Sequence, residues 1–413
     1  MPLLIGLVIA ISIGAKKLLP ILEAARKKTQ ETQQRIAKAA EAPPPLTEKQ
    51  KSALETFGQD LAKRITDGDT AALARIQDLD AIADRVIHSL DGAIPAITEF
   101  REGFMSSVRT KAGGIFMSAL KTPAKMVKVT EIDGFPTVML RVLPEGGGVN
   151  FLGAMVRPDG DSFRVIDAYN YLFGLTVTEE SARGAIAMAP AASGTSFAKR
   201  LLGLKAGQQG TEKDVMAILS DFGGQKFASV VDQYSKLPKE VQDQRNMFVI
   251  YLQCLMGLNG DSKYEPAYKA ALGEARRILG KNSAVEMLLV DLYFLEEDYA
   301  AAEKAIASMD EVVGKDAYLE FLAGTACALG DDLEGALRHA ALGRKLEPDM
   351  PSLVDLMLTI HAKKKDYRSL VDELRAFKHT HGITIKEDSL TEPMYVEFLK
   401  SPEFAGWKKE NEL

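Results

Sequence analysis

Side chains suited to chemistry are sparse in this 413-residue chain, and the densest group lies near residue 170. In a strand, Asp167, Tyr169 and Tyr171 share one face, because successive side chains point to opposite sides. The simplest interpretation is that the Asp167 carboxylate pairs with a neighbouring arginine, such as Arg141 or Arg164. The two tyrosines would then only pack.

Other chemical motifs are missing from the sequence. His379 and His381 flank one threonine, but no cysteine or third histidine is nearby, so no metal site is predicted. The glycines at 146–148 and 223–224 are interpreted as turns, because no Gly-Lys-Ser/Thr follows them. No nucleophile motif or dinucleotide fingerprint occurs, so neither a cofactor nor an enzymatic activity is predicted.

The middle of the chain has the pattern of an α+β domain over residues 47–180. Thr47 and Gln50 form a capping box that starts a helix, and helices are also expected over 70–90 and 95–119. Four strands separated by short turns follow, over residues 125–131, 135–143, 149–157 and 162–173. Short connections predict an antiparallel meander.

This order of helices then strands, with the phrase FRVIDAY in the last strand, resembles the nuclear-transport-factor-like or ketosteroid-isomerase-like cone fold. The resemblance implies a curved sheet around a pocket, in which enzymes of the family use a carboxylate with a tyrosine or acidic donor. The pocket candidates are His88, Asp167, Tyr169 and Tyr171. One departure is that no short strand is evident between the early helices. A structural or protein-contact role is favoured over a ligand pocket or catalysis.

A 34-residue period dominates the C-terminal half. Asp298, Asp332 and Asp366 recur at this interval, as do Ala302, Ala336 and Leu370. Such a period predicts a solenoid of helix pairs. Five pairs are expected over 211–244, 245–282, 283–316, 317–350 and 351–384.

The unit at 317–350 resembles the tetratricopeptide pattern, with Gly324 and Ala336 at small positions and Pro348 at its end. The resemblance implies a concave groove lined by the first helices, which binds a protein or peptide. The groove candidates are Leu252, Met256, Met287, Asp291, Phe294, Tyr318, Phe321 and Thr325. They suit an apolar peptide. The basic-asparagine constellation that clamps chaperone tails is missing. Contact with the chain's own domain or linker is the alternative use of this face.

The first 22 residues contain an uncharged apolar run, 3–15, followed by two lysines. An uncleaved membrane anchor is the preferred interpretation; a signal peptide and a soluble packing helix are the alternatives. Residues 23–46 are predicted to be a basic spacer helix ending at prolines, either attracted to anionic headgroups or simply solvated. Seven basic against three acidic side chains give residues 1–42 a charge of +4, which leaves −10 for the rest of a chain at −6. This balance argues against nucleic-acid binding.

Residues 181–210 are rich in Ala, Gly and Ser and are predicted to be a flexible linker, and 385–413 a C-terminal cap that includes Trp407. The predicted fold class is therefore multidomain: an apolar N-terminal helix, an α+β cone-like domain and an all-α tetratricopeptide-like solenoid. The predicted function is a membrane-tethered adaptor with a cytoplasmic body. The alternatives are a cone-fold enzyme or ligand sensor, and an exported or periplasmic repeat protein with a cleaved leader.

Overall fold

The computed structural model describes residues 27, 30–90, 101–106, 114–144, 148–188, 209–258, 260–280 and 283–412. The predicted anchor, residues 1–22, lies outside the described residues, as does 189–208 of the predicted linker. Among the helices that are described, none has both the length and the apolar character needed to cross a membrane.

Five α-helical segments precede the sheet in the described part of the chain. They are α1 (residues 30–40), α2 (Glu48–Asp67), α3 (Thr70–Ile76), α4 (Leu79–Ser89) and α5 (residues 101–106). Thr47 caps α2 through the predicted capping box, and Gly68 ends it in the left-handed region with φ 68°. The helix expected over 70–90 is broken at Gln77, which forms a β-bridge with Val165. Part of the helix expected over 95–119 is instead a 3₁₀ helix, Gly114–Ala119.

The sheet is an antiparallel meander in the order of the sequence. Its strands are β1 (Ala124–Ile132), β2 (Phe135–Val142), β3 (Asn150–Asp159), β4 (Ser162–Asn170) and β5 (Leu175–Thr176). The four predicted strands are present. The last one ends earlier than expected because the chain turns at Gly174, whose N–H donates to the Asn170 carbonyl at 2.9 Å. After this turn the chain runs back antiparallel to β4 and forms β5.

Both faces of the sheet are covered. On one face, Leu54 and Leu61 of α2 pack in a core cluster with Leu140 and Val165. Side chains alternate along β2, so Met139 points to the opposite face. There it joins a second cluster that includes helical residues more than 140 positions later, such as Met287. The sheet is thus a layer between its own helices and the C-terminal region.

That C-terminal region is built of consecutive helices, as expected, and is compatible with a helical solenoid. We refer to residues 209–381 as the helical array. Its helices are α7 (Gln209–Gly223), α8 (Phe227–Tyr234), α9 (Lys239–Gln242), α10 (Arg245–Gly257), α11 (Glu265–Leu279), α12 (Ser283–Leu295), α13 (Tyr299–Val313), α14 (Ala317–Leu329), α15 (Leu333–Leu346), α16 (Pro351–Lys364) and α17 (Tyr367–His381). From α10 to α17 each helix contacts the next one along the chain.

A recurring turn explains the 34-residue period. At each turn the residue just before an aspartate lies in the left-handed region, with φ between 55° and 62°: Glu297, Asp331 and Lys365. The aspartates that follow are the N-caps of the next helices, each accepting a hydrogen bond from a backbone N–H three residues on: Asp298, Asp332 and Asp366. The N–H of each aspartate also donates to a carbonyl five residues earlier at 2.9 Å. The turn therefore closes one helix and opens the next.

The C-terminal segment packs against the end of the array. Three 3₁₀ turns lead to α18 (Pro402–Glu410). Trp407 is fully buried in a cluster with Leu370 and Leu374 of α17 and Phe404 of α18. Its indole Nε1 donates to the carbonyl of Ile385 at 3.2 Å. The tryptophan is therefore part of a core and is not free for a partner.

Two predicted segments differ from the structure. Residues 181–188, expected in the flexible linker, belong to α6 (Val177–Met188), which is opened by a Thr176–Glu179 capping box. Helix α1 is docked through its buried Ile36 and Ala39, whereas the expected spacer was either solvated or at a membrane. The Arg157 guanidinium donates to three carbonyls at the end of α1, at 2.6–2.9 Å, and so caps it.

Candidate functional site

The carboxylate of Asp167 is fully buried, and all of its strong acceptor positions are used. Its Oδ2 accepts from Arg85 Nε at 3.0 Å and from the Thr178 hydroxyl at 2.5 Å. Its Oδ1 accepts from the backbone N–H groups of Ala168 and Thr178, at 2.9 and 3.1 Å. Burial raises the pKa of Asp167, and the attraction of Arg85 and the bonds from Thr178 offset this rise only in part.

Asp167 therefore pairs with an arginine, as the sequence suggested, but with neither of the two examples named there. Arg141 does not reach it, because Arg141 points into the helical array, and Arg164 pairs with Asp159 at 2.8 Å. The true partner, Arg85, comes from α4 and also stacks over the Phe135 ring. A carboxylate bound in this way joins α4, β4 and the start of α6, and offers no free lone pair to a substrate.

The other pocket candidates do not converge with Asp167 on an opening. Asp167 and Tyr169 share one face of β4, since they are two residues apart in the strand. Tyr171 lies just beyond the strand, where its N–H donates to the Phe151 carbonyl at 3.0 Å. Their rings meet edge to face, with centroids 4.8 Å apart, and Tyr171 is buried in the cluster shared with the array. Burial, with the nearby Tyr169, raises the pKa of Tyr171 to about 12. His88 lies exposed on α4. Asp167 is held in an ion pair, Tyr169 and Tyr171 pack against each other, and His88 is exposed.

The groove candidates divide into covered and accessible residues. On α12, Met287, Asp291 and Phe294 follow helical spacing on one face, as Tyr318, Phe321 and Thr325 do on α14. The residues nearest the helix N-termini are buried against the sheet side: Met287 clusters with Met139 and Phe151, and Tyr318 with Leu143 and Val149. The chain's own sheet therefore covers this end of the face.

Residues toward the C-terminal ends of α10, α12 and α14 remain partly accessible. We call this set the open strip: Met256, Asp291, Phe294, Phe321 and Thr325. Asp291 is exposed and accepts a hydrogen bond from the Tyr268 hydroxyl at 2.9 Å. Leu252, the eighth candidate, is fully buried within the core of the array. The strip is mostly apolar, and Asp291 supplies its one carboxylate.

A buried ion-pair group ties the sheet to the array. Arg141 of β2 donates to Asp316, which caps α14, and to Glu347, which follows α15, at 3.0 and 2.9 Å. Lys125 of β1 reaches the same Glu347 at 2.8 Å. We call Arg141, Asp316 and Glu347 the Arg141 clasp. Burial favours the neutral form of Glu347, but Lys125 and Arg141 outweigh it and lower its pKa.

Sequence reasoning missed both Arg85 and the Arg141 clasp. The partners are separated by 82 residues in one case and by at least 175 in the other. No local spacing connects residues so distant in the chain. A usable signal was the position of Arg141 within an otherwise apolar strand, FPTVMLRV, because a buried arginine requires an acidic partner.

Comparison with known proteins assigns no family. No family model matches the chain, and no curated protein matches it. The function must therefore be argued from the residues themselves.

Proposed function

We propose that this chain is a protein-interaction scaffold whose open strip binds an apolar peptide segment of a partner. The observation that carries the proposal is the division of the groove face: the sheet covers its N-terminal end, while Phe294, Phe321 and Thr325 stay partly accessible at the other. Half-buried aromatic side chains on a rigid surface are typical anchors for a partner. Asp291 would favour a basic residue in the bound segment.

The tetratricopeptide resemblance supports this proposal. A Cβ on Gly324 would lie 2.6 Å from Leu356 and 3.2 Å from the Cβ of His339, so this position requires the small residue that the pattern has. Ala336 of the following helix is fully buried. Solenoids of this kind usually bind other chains.

The tether and the cone fold remain part of the proposal. Residues 1–22 would anchor the scaffold, with its body on the cytoplasmic side, on the basis of the apolar run and the lysines that follow it. A meander of antiparallel strands with helices before it fits the cone-like class in outline. The saturated bonding of Asp167 speaks against an enzymatic pocket, so the adaptor is preferred over the cone-fold enzyme.

The binding surface is tested by capture of partners with the full chain from a detergent extract of the producing cells. The double variant Phe294→Gln, Thr325→Glu should weaken recovery of the partner at least about tenfold, because both side chains lie in the open strip. The matched control is Leu342→Glu on α15, a position that is 48% exposed and outside the strip.

Recovery lost in the double variant but kept in the control supports the proposal, provided both variants melt as cooperatively as the parent. Equal recovery by all three proteins would refute the open strip as the binding surface. Membrane fractionation of a variant lacking residues 1–22 tests the tether separately. That variant should move to the soluble fraction, and a full chain already found there would contradict an anchor.

A further inference from the structure

Three consecutive helices of the array bring metal-binding side chains together. They are Glu303 of α13, Glu320 and Cys327 of α14, and His339 of α15. A carboxylate oxygen of Glu303, the Cys327 sulfur and an imidazole nitrogen of His339 all lie within 4.8 Å of one another. His339 Nε2 is 3.4 Å from a Glu303 oxygen, and its Nδ1 is 2.7 Å from a Glu320 oxygen.

Small residues make the room for this cluster. A Cβ on Gly335 would lie 3.1 Å from the Cys327 sulfur, and one on Gly324 would lie 3.2 Å from the Cβ of His339. Glu320 and Cys327 are seven residues apart on α14, so both lie on the side of that helix that faces its neighbours. Both are buried, whereas Glu303 is partly exposed and gives the cluster access to solvent.

We propose that Glu303, Cys327 and His339 bind one divalent transition-metal cation of the zinc class. A thiol, an imidazole and a carboxylate are the donors that zinc takes, whereas Mg²⁺ and Ca²⁺ prefer oxygen alone. Zinc bonds of about 2.0–2.3 Å in a tetrahedron hold ligand atoms roughly 3.3–3.8 Å apart. The His339–Glu303 distance of 3.4 Å already meets this spacing, so small side-chain rotations complete the site.

Glu320 supplies the outer contact that metal-binding histidines usually have. Its carboxylate accepts the Nδ1 proton of His339 and leaves the Nε2 lone pair for the metal. On binding, the Cys327 thiol gives its proton to solvent, and the thiolate sulfur bonds the cation. The fourth tetrahedral position is left to water or to a group of a partner. The cation would join α13, α14 and α15 across two adjacent helix pairs.

Cobalt(II) chloride added to the metal-free full chain tests the site. One Co²⁺ per chain should bind, with the near-ultraviolet thiolate-to-cobalt band and the visible bands of a tetrahedral ion, and Zn²⁺ should displace it. The chain has only two cysteines, so the band can come only from Cys327 or Cys254. Cys327→Ser should lose it, whereas Cys254→Ser, at the other buried thiol, should keep it. Glu320→Gln should weaken binding by about 10–100-fold.

A measurement on the unmodified chain covers the case in which a variant fails to fold. Zn²⁺ should slow alkylation of Cys327 by a small thiol reagent and leave the rate at Cys254 unchanged. A missing thiolate band in the parent chain, a band that survives in Cys327→Ser, or equal alkylation of Cys327 with and without Zn²⁺ would each overturn the proposal. In any of these cases the four side chains form only a hydrogen-bonded network.

Discussion

Asp167 shows how neighbours decide whether a carboxylate can act on a substrate. The alternation of β4 was enough to place Asp167 and Tyr169 on one face. It could not supply Arg85 or Thr178, since both come from other elements of the fold. The cluster of Glu303, Cys327 and His339 escaped prediction for the same reason: the three lie on separate helices, with no local motif among them.

We predict that Asp167→Asn destabilises the protein by about 3 kcal/mol, because removal of one partner leaves a largely buried charge on Arg85. The free energy of urea unfolding, monitored by circular dichroism, measures this. Asp159→Asn is the matched control: its pair with Arg164 is about half exposed on both sides and should contribute less than about 1 kcal/mol. Similar losses of unfolding free energy in the two variants would mean that the buried pair stabilises the protein no more than the exposed one.

At the scale of elements, the 34-residue recurrence of Asp298, Asp332 and Asp366 marked true helix starts, although the turn itself was not predicted. Its information is local: an aspartate that caps a helix and the residue before it that ends the previous helix are adjacent in the chain. The first and last residues of a helix were harder to predict from the sequence where tertiary contacts determine them. The bridge from Gln77 to β4 interrupts a segment whose own pattern is helical throughout, and α6 extends into a composition typical of a linker.

Two substitutions in one turn should have opposite effects on stability. Asp298→Ala removes the cap of α13 and should cost about 1 kcal/mol. Glu297→Gly should be neutral or stabilise by up to about 1 kcal/mol, because glycine adopts the left-handed region without the strain that a side chain causes. Thermal and urea unfolding of the two variants give the sign of each effect. A loss of stability on Glu297→Gly would show that the side chain makes a contact that outweighs the backbone strain.

At the scale of the whole molecule, the sheet and the array are packed as one body through the Arg141 clasp and a shared apolar cluster. The existence of each part was predictable from its period, two residues for strands and 34 for helix pairs. Their contact was not, because a period describes how a unit repeats and carries no information on what lies beside it. This contact decides which part of the groove face stays accessible.

The clasp should give the stability a characteristic dependence on pH. The pKa of Glu347 is lowered in the folded state from its ordinary 4.5, so its contribution is present above that pH and is lost as the pH falls through the folded value. Glu347→Gln should therefore cost about 1–2 kcal/mol near pH 7. The gap between parent and variant in the free energy of unfolding should narrow steadily below about pH 4.5.

Urea unfolding of both proteins across this range measures the gap. Glu410→Gln, which removes a surface pair with Arg375, is the control and should show a smaller gap at every pH. A gap at Glu347 that does not change with pH would contradict the assignment of its carboxylate to the clasp.

The Arg141 clasp also bears on the order in which the molecule is made. Arg141 binds both Asp316 and Glu347, which lie at the start and the end of one helix pair. A single guanidinium therefore fixes the distance between the two ends of that pair. Chains are synthesised from the N-terminus, and domains form as they emerge. All residues of the sheet therefore leave the ribosome before α12 to α15, so Arg141 is already present when the helix pair that it binds is synthesised.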